Sequence, residues 1–416
     1  MTTGVFRGTV QAAQGPTWYQ GLASGKWAAI APSGPAAVWP NWGSVGSGPG
    51  FIGVQSPAGV DVINGWTGGC VNQAFKELLF VANGGHNGYY GNEVYSLRLD
   101  QSAPAWKLLA HPTPTGSLIL DSTAIPSVNA DGRCVSLHNG GQLQFANGRA
   151  WMTACTSTAG PISRSSAGVM SWNRGFVGVP QNTTDPALEW ANNAGPWATI
   201  GAHAISSGTA NSEIEFAPSC VDPSPGGLIW QFGNNFSPAS SINPTTGAIT
   251  TRAFTPPSGY YSRGMWAVGT DQGYAVIGWR DRKDVLRWHF TNHTMTPVTT
   301  SAPAGINFGF RATSGSGGVL MQPDGMGAAY HPNSRTIYVG DPFLHGGKIF
   351  KLDLNTTQWA WSEITNTGPV VPTSTAAAGI FSKWNYVDMG NNEGVIVSAG
   401  QWSGSTFVLK IPAGGL

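Results

Sequence analysis

Charge is scarce in this sequence and almost evenly split, with 21 Lys and Arg against 20 Asp and Glu in 416 residues. Charged side chains make up only 10% of the chain, against about 25% in an average soluble domain. There is no run of Lys or Arg, so the concentrated basic surface that gains from counterion release on a phosphate backbone is missing. Nucleic acid is set aside as a partner. Long hydrophobic runs are lacking too: stretches such as Leu78 to Ala82 are far too short to cross a bilayer. Disorder does not explain the low charge, because 41% of the residues are hydrophobic and fall in short runs between turn residues. Cysteine is limited to Cys70, Cys134, Cys155 and Cys220, without metal-type spacing. An even count permits disulfides, but a chain of this size does not need them, and four buried thiols are the expectation. The start, Met1-Thr2-Thr3-Gly4-Val5-Phe6-Arg7, has no basic stretch followed by an apolar core and does not read as a Sec signal. Release by lysis or by a dedicated secretion system is the corresponding expectation. A Gly-rich phosphate loop, a Ser nucleophile elbow and a His-Glu-x-x-His zinc motif are all absent.

What the chain does have is glycine, 58 residues of it, and 18 tryptophans. Together they point to many short strands, tight turns and a regularly placed bulky side chain. Internal repeats decide the architecture of such a chain. The clearest unit is Glu77 to Ala110, which reads as a strand, the pair Gly84-Gly85, a loop, a strand around Val94-Tyr95, a turn, and a strand opened by Trp106. Within it, Glu93 to Leu99 alternates with the period of two that marks a half-buried strand. The same order returns around Gly226-Gly227 and Thr246-Gly247, around Met265 to Val298, and from Ala328 to Ile364. A fifth copy opens near His138 and is lengthened before Val169-Met170-Ser171-Trp172 and Trp197. The last copy, from Trp384, supplies three strands and then the chain stops. Innermost strands are therefore expected near Val71, His138, Ser212, Met265, Gly327 and Trp384, giving six units. A seventh unit between Gly160 and Gly195 is the alternative. The missing fourth strand of the last unit has a candidate in Gly25 to Ile30, around Trp27. The predicted fold is all-β: a six-bladed β-propeller of four-stranded antiparallel blades, closed by an N-terminal strand that removes the open edge. Residues 1–20 are read as an arm outside the ring, with Phe6, Trp18 and Tyr19 as its assembly contacts, and residues 21–416 as the propeller.

Gly-Gly after a second strand, Tyr in the third and Trp in the fourth resemble the kelch repeat, which also builds the central domain of galactose oxidase. The segment from Gly84 to Leu97 is similar to kelch-type modules of bacterial and tailed-phage proteins. This resemblance speaks to fold far more than to function, since one fold hosts many unrelated sites. In it the Gly pair permits positive φ and the aromatics fill the wedge between blades.

Chemistry is harder to find. A copper oxidase of that family needs two tyrosines, two histidines and a cysteine-linked tyrosine, but Gly264-Met265-Trp266 stands where that tyrosine belongs. Tyr330-His331-Pro332 reads as a strand running into a turn. A sialidase would show repeated Ser-x-Asp-x-Gly-x-Thr-Trp turns, and none occurs. Glu213 with Glu215, or Asp281 with Asp284, are the carboxylate pairs a hydrolase would use, and solvated or structural roles suit them better. No catalytic residue, metal or cofactor is assigned. The loops between second and third strands share a face with the crossovers and carry aromatics beside amides and a few charges. They hold His86, Tyr89, Tyr90, Asn234, Asn235, Phe236, Arg280, Asp281, Phe343, His345 and Trp402. Rigid rings beside amides suit sugar rings or a protein partner at low ordering cost; loop packing is the competing role.

The sequence thus reads as a non-enzymatic structural and binding protein, a virion component such as a tail fibre, spike or decoration protein that contacts a host-surface glycan or protein. Its arm would join other assembly proteins, as a homo-oligomer or within a larger particle. A secreted carbohydrate-active enzyme and a bacterial lectin-like adhesion module are the competing readings. The missing tyrosyl and cysteinyl ligands generate a direct expectation: purified protein should carry no stoichiometric copper and should release no hydrogen peroxide from primary alcohols. Metal analysis with a peroxide assay checks it.

Overall fold

The computed structural model describes residues 15–38, 68–81, 92–110, 133–134, 143–155, 167–174, 197–203, 218–232, 239–257, 266–278, 283–307, 319–320, 326–340, 348–365, 370, 372, 381–400 and 404–416. Six four-stranded antiparallel sheets, each formed by strands consecutive in the chain except at the closure, make the six blades of a β-propeller. The first blade is Cys70–Asn72, Glu77–Val81, Val94–Arg98 and Trp106–Ala110. The second is Leu143–Ala146, Arg149–Cys155, Ala167–Asn173 and Trp197–His203, so the lengthened middle is spanned inside one sheet. The third runs from Ser219–Val221 to Ile249–Arg252, the fourth from Trp266–Gly269 to Met295–Val298, and the fifth from Gly327–His331 to Ala360–Ile364. The sixth has only Trp384–Gly390, Glu393–Ser398 and Thr406–Ile411 from its own end of the chain. Its outer place is taken by Trp27–Ala31, which pairs antiparallel with Thr406–Ile411 in the register Trp27 to Leu409 and Ala29 to Phe407.

Two of the expected innermost-strand starts, His138 and Ser212, lie outside the described residues; the described innermost strands of these blades are Leu143–Ala146 and Ser219–Val221. The signal that locates the first is Asn147-Gly148, whose φ values of 48° and 72° are both positive. That is the conformation of the tightest hairpin turns, for which Asn-Gly is the favoured pair. It joins Leu143–Ala146 directly to Arg149–Cys155.

The core is divided by the ring. Each seam between neighbouring blades holds its own cluster of buried apolar side chains, such as Trp151, Ile229 and Ile242 between the second and third blades. Second strands are buried along their whole length, as in Glu77–Val81 and Thr336–Gly340, because both faces of a blade meet a neighbour. This explains why they read as short unbroken apolar runs. Tryptophans stitch three seams with hydrogen bonds: Trp106 Nε1 donates to Thr406 Oγ1 at 3.0 Å, Trp384 Nε1 to the Tyr338 carbonyl at 3.0 Å, and Trp361 Nε1 to the Lys283 carbonyl at 2.8 Å. The innermost strands approach so closely that a Cβ on Gly269 of the fourth blade would lie 1.8 Å from the Val221 carbonyl oxygen of the third. Only glycine fits there.

The stretch before the closing strand corrects the reading of the arm. Thr17–Gln20 is a single helical turn, and its aromatics pack on the ring. Trp18 Nε1 donates to the Gln101 carbonyl at 3.0 Å, and the Tyr19 hydroxyl to Glu393 at 3.1 Å. Tyr19 is 6% exposed and belongs to the cluster that fills the seam between sixth and first blades. The boundary drawn at residue 20 therefore cuts through an element held by the propeller. An aromatic ring gains more from an apolar seam beside it than from projecting into water. Phe6 lies outside the described residues.

Loss of the closing strand would open one edge and uncover Phe407 and Leu409 of the sixth blade. Deleting residues 1–30 is expected to abolish cooperative thermal unfolding, measured by circular dichroism. Unchanged unfolding would contradict closure by this strand.

Candidate functional site

The residues nominated from the sequence, His86, Tyr89, Tyr90, Asn234, Asn235, Phe236, Arg280, Asp281, Phe343, His345 and Trp402, all lie outside the described residues. The strands beside them are described. The second strand of each blade ends, and the third begins, at the face opposite the first hairpins. All those segments therefore depart from one end of the ring.

The described chemistry lies elsewhere, along the axis and at the other end. The innermost strands line a central cavity of about 210 Å³, walled by Gln144, Ser219, Ser382 and Asn385 among apolar side chains. Cys70 and Cys220 also reach this wall. Burial pushes both thiols up, Glu77 adding to the effect at Cys70 and Asp222 at Cys220. Both stay protonated and make poor nucleophiles.

At the carboxyl ends of the innermost strands the channel widens into a mouth of about 410 Å³. The mouth is assembled from first hairpins of five blades, contributing Gln73, Pro223, Asp271, Tyr330 and Asn333, and Tyr386 and Asp388. None of its described lining residues is Lys, Arg or His. The Tyr330 hydroxyl donates to Asp271 Oδ1 at 2.6 Å, linking the fifth blade to the fourth. Burial raises the Tyr330 phenol, and the bond to Asp271 raises it further. The Tyr386 phenol is likewise raised, first by burial and then by Asp388. Gln73 clips the first blade to the sixth: its Nε2 donates to the Tyr386 carbonyl at 2.7 Å, and its Oε1 accepts from the Asp388 amide at 3.0 Å.

Behind the mouth sits His331, wholly buried. Its Nε2 lies 3.1 Å from the Asn392 carbonyl oxygen, which can only accept, while Nδ1 receives the Ser334 amide at 3.3 Å. Both contacts are met by the neutral ring with its hydrogen on Nε2. Its edge contact with Tyr386, 5.0 Å between centroids, joins fifth and sixth blades. Among the described residues no three His, Cys, Asp or Glu side chains are placed to hold a metal ion. The arrangement offers a rigid, hydrogen-bonding basin and fully protonated phenols and thiols, which suits holding a ligand better than attacking one. The sequence reading passed over these residues because each hairpin contributes one or two of them and no local motif results. Their common position, just after the innermost strand of each repeat, is the signal that finds them.

No family model matches the chain, and no curated protein is recovered as a relative. Several solved structures share the propeller at low identity. A streptogramin B lyase is 10% identical over 83% of this chain and 93% of its own, with a TM-score of 0.39. An auxiliary nutrient binding protein from Bacteroides ovatus is 12% identical over 84% and 70%, with a TM-score of 0.42. The Malassezia sympodialis allergen Mala s 1 is 9% identical over 85% and 96%, with a TM-score of 0.40. Similarities of this size concern the fold alone.

His331 gives the ring a pH dependence. Burial lowers its pKa in the folded state, against weaker opposing pulls from the Asn392 carbonyl and Asp388. Its contribution is therefore complete above the unfolded value of about 6.5 and is lost as pH falls through that value toward the folded one. The urea midpoint is expected to fall between pH 7.5 and pH 5, and the slope to shrink in His331→Asn. His289 and His293, also lowered by burial but nearer solvent, act in the same direction. An unaltered slope in the variant would assign the effect to other groups.

Proposed function

We propose that this chain is a non-catalytic binding and structural protein whose rigid ring presents one face to a surface glycan or protein, as a component of a phage particle. The observation that carries the reading is the inequality of the two faces. First hairpins are short in five of the six blades, as at 147–148, 270–273, 332–335 and 391–392, and longer only in the third, at 222–228. In every blade but the third, the connection that leaves the other face between second and third strands is longer than the first hairpin, as at 82–93, 156–166 and 341–348. Propellers gain variable binding surface by lengthening connections at one face while the strands stay fixed. The low charge and the aromatic, amide-rich composition of these segments support contact with a neutral polar surface. The particle role is supported by the kelch-like order of the clearest repeat, and residues 1–14, including Phe6, remain for assembly contacts.

The test is binding of the full chain to intact host cells, and labelling of purified particles with antibodies raised against it. Trp402→Ala and Tyr89→Ala are expected to weaken cell binding about tenfold or more, the loss typical of an aromatic anchor, with thermal unfolding unchanged. Unlabelled particles would remove the virion role, and release of sugar from the bound surface would remove the non-catalytic one.

A further inference from the structure

We infer that the channel mouth at the hairpin face is a second binding site, for a neutral hydroxyl-rich ligand of the size of one or two sugar rings. It lies at the opposite end of the ring from the loop face and is independent of what that face contacts. Its volume of about 410 Å³ falls in the range of small-ligand sites. Its described lining residues include Asp271 and Asp388 and no Lys, Arg or His, which disfavours a carboxylate or phosphate.

The hydrogen-bonding groups then select further. Three lining amides spend an N–H on backbone carbonyls: Gln73 on Tyr386, Asn333 on Ala413, and Asn385 on Ser382 with the shorter contacts among them. The same wall carries the Asn333 and Asn385 side-chain carbonyls and the carboxylates of Asp271 and Asp388. Asp271 Oδ1 already accepts from Tyr330 and Asp388 Oδ1 from the Gly390 amide, and the second oxygen of each adds to the acceptors of the basin. A hydroxyl-bearing ligand supplies the complementary donors, and the second N–H of each amide and the raised, protonated Tyr386 phenol can donate in return. Pro223, Pro332, Val268 and Ala328 line the same wall as these polar groups. That mixture fits a sugar ring, which offers C–H faces and hydroxyl edges together. Every contributor sits on or beside a strand end fixed by the seams, so little ordering is required on binding.

The experiment is calorimetric titration of the full chain with neutral disaccharides of glucose, galactose, mannose and N-acetylglucosamine, alongside the corresponding uronic acids and amino sugars. Saturable binding is expected for at least one neutral sugar, with its uronic acid at least tenfold weaker. Asp388→Asn and Asn392→Gly change exposed hairpin positions, and glycine suits the φ of 62° at Asn392. Each is expected to weaken binding about tenfold, the equivalent of one lost hydrogen bond, without shifting the unfolding midpoint. Tyr89→Ala, in the 82–93 connection, should leave this binding unchanged, which separates the two sites. Three results overturn the inference: no neutral sugar binds, an amino sugar binds more tightly in a salt-sensitive manner, or the mouth variants bind as the native chain does.

Discussion

A blade of this protein has two apolar faces and no water-facing side, so none of its sheets is stable until both neighbours are in place. The ring must close, and closure depends on one antiparallel pairing, Trp27–Ala31 against Thr406–Ile411. That pairing joins the two ends of the described chain inside one sheet, and it brings Trp27 onto Trp384 at 5.8 Å in an edge contact. Each fully buried large side chain contributes about 1.5–3 kcal/mol, but the contribution is shared between two blades. Breaking the ring at one seam therefore strips burial from two sheets at once. Tyr19 reinforces the closing point: its hydroxyl reaches Glu393, and the Lys410 ammonium lies 4.6 Å over its ring.

Apolar packing closes a ring but tolerates sliding of one blade along another, and buried polar pairs fix that register. Arg174, at the end of the third strand of the second blade, grips Glu77 of the first with two bonds of 2.8 and 2.9 Å. Glu77 is fully buried, so a shift of one residue would strand a charge without water. Gln144 reaches the Ser219 carbonyl and hydroxyl across the next seam, both at 3.0 Å. Polar pairs of this kind are conditional: they cost desolvation in any arrangement and repay it only in the correct one. They specify the ring, while the tryptophans and branched side chains hold it.

The legibility of this structure in its sequence follows the range over which each signal acts. Period-two alternation and Gly-rich turns are local, so the blades and the need for a strand around Trp27 could be read directly. The Asn147-Gly148 hairpin is an equally local signal, a favoured pair for the tight turn that joins Leu143–Ala146 to Arg149–Cys155. The helical turn at Thr17–Gln20 could not be read. Four residues between Pro16 and Gly21 have no periodicity, and Tyr19 is placed by Glu393 and Lys410 from the far end of the chain. The mouth was hidden for the same reason. Gln73, Asp271, Tyr330 and Asp388 become neighbours only when five hairpins converge, and nothing in any one hairpin marks it.

The convergence itself imposes a division of labour between the two ends of the ring. At the hairpin end, positions are over-determined: Tyr330 is tied to Asp271, Gln73 to both the carbonyl of Tyr386 and the amide of Asp388, and His331 to Asn392. Each tie crosses a seam, so a side chain there cannot move without disturbing a second blade. Such a surface suits a small rigid ligand and changes slowly, because substitution of a tied side chain such as Tyr330 or Gln73 is felt by the closure of the ring. Exposed hairpin positions such as Asp388 and Asn392 are freer. At the other end the connections begin where the second strands of the described blades end, beyond the seam clusters those strands build. Sequence can vary there with little cost in stability. A propeller that must keep its fold while following a changing surface would place the changing contacts at that end and keep the fixed ones at the mouth.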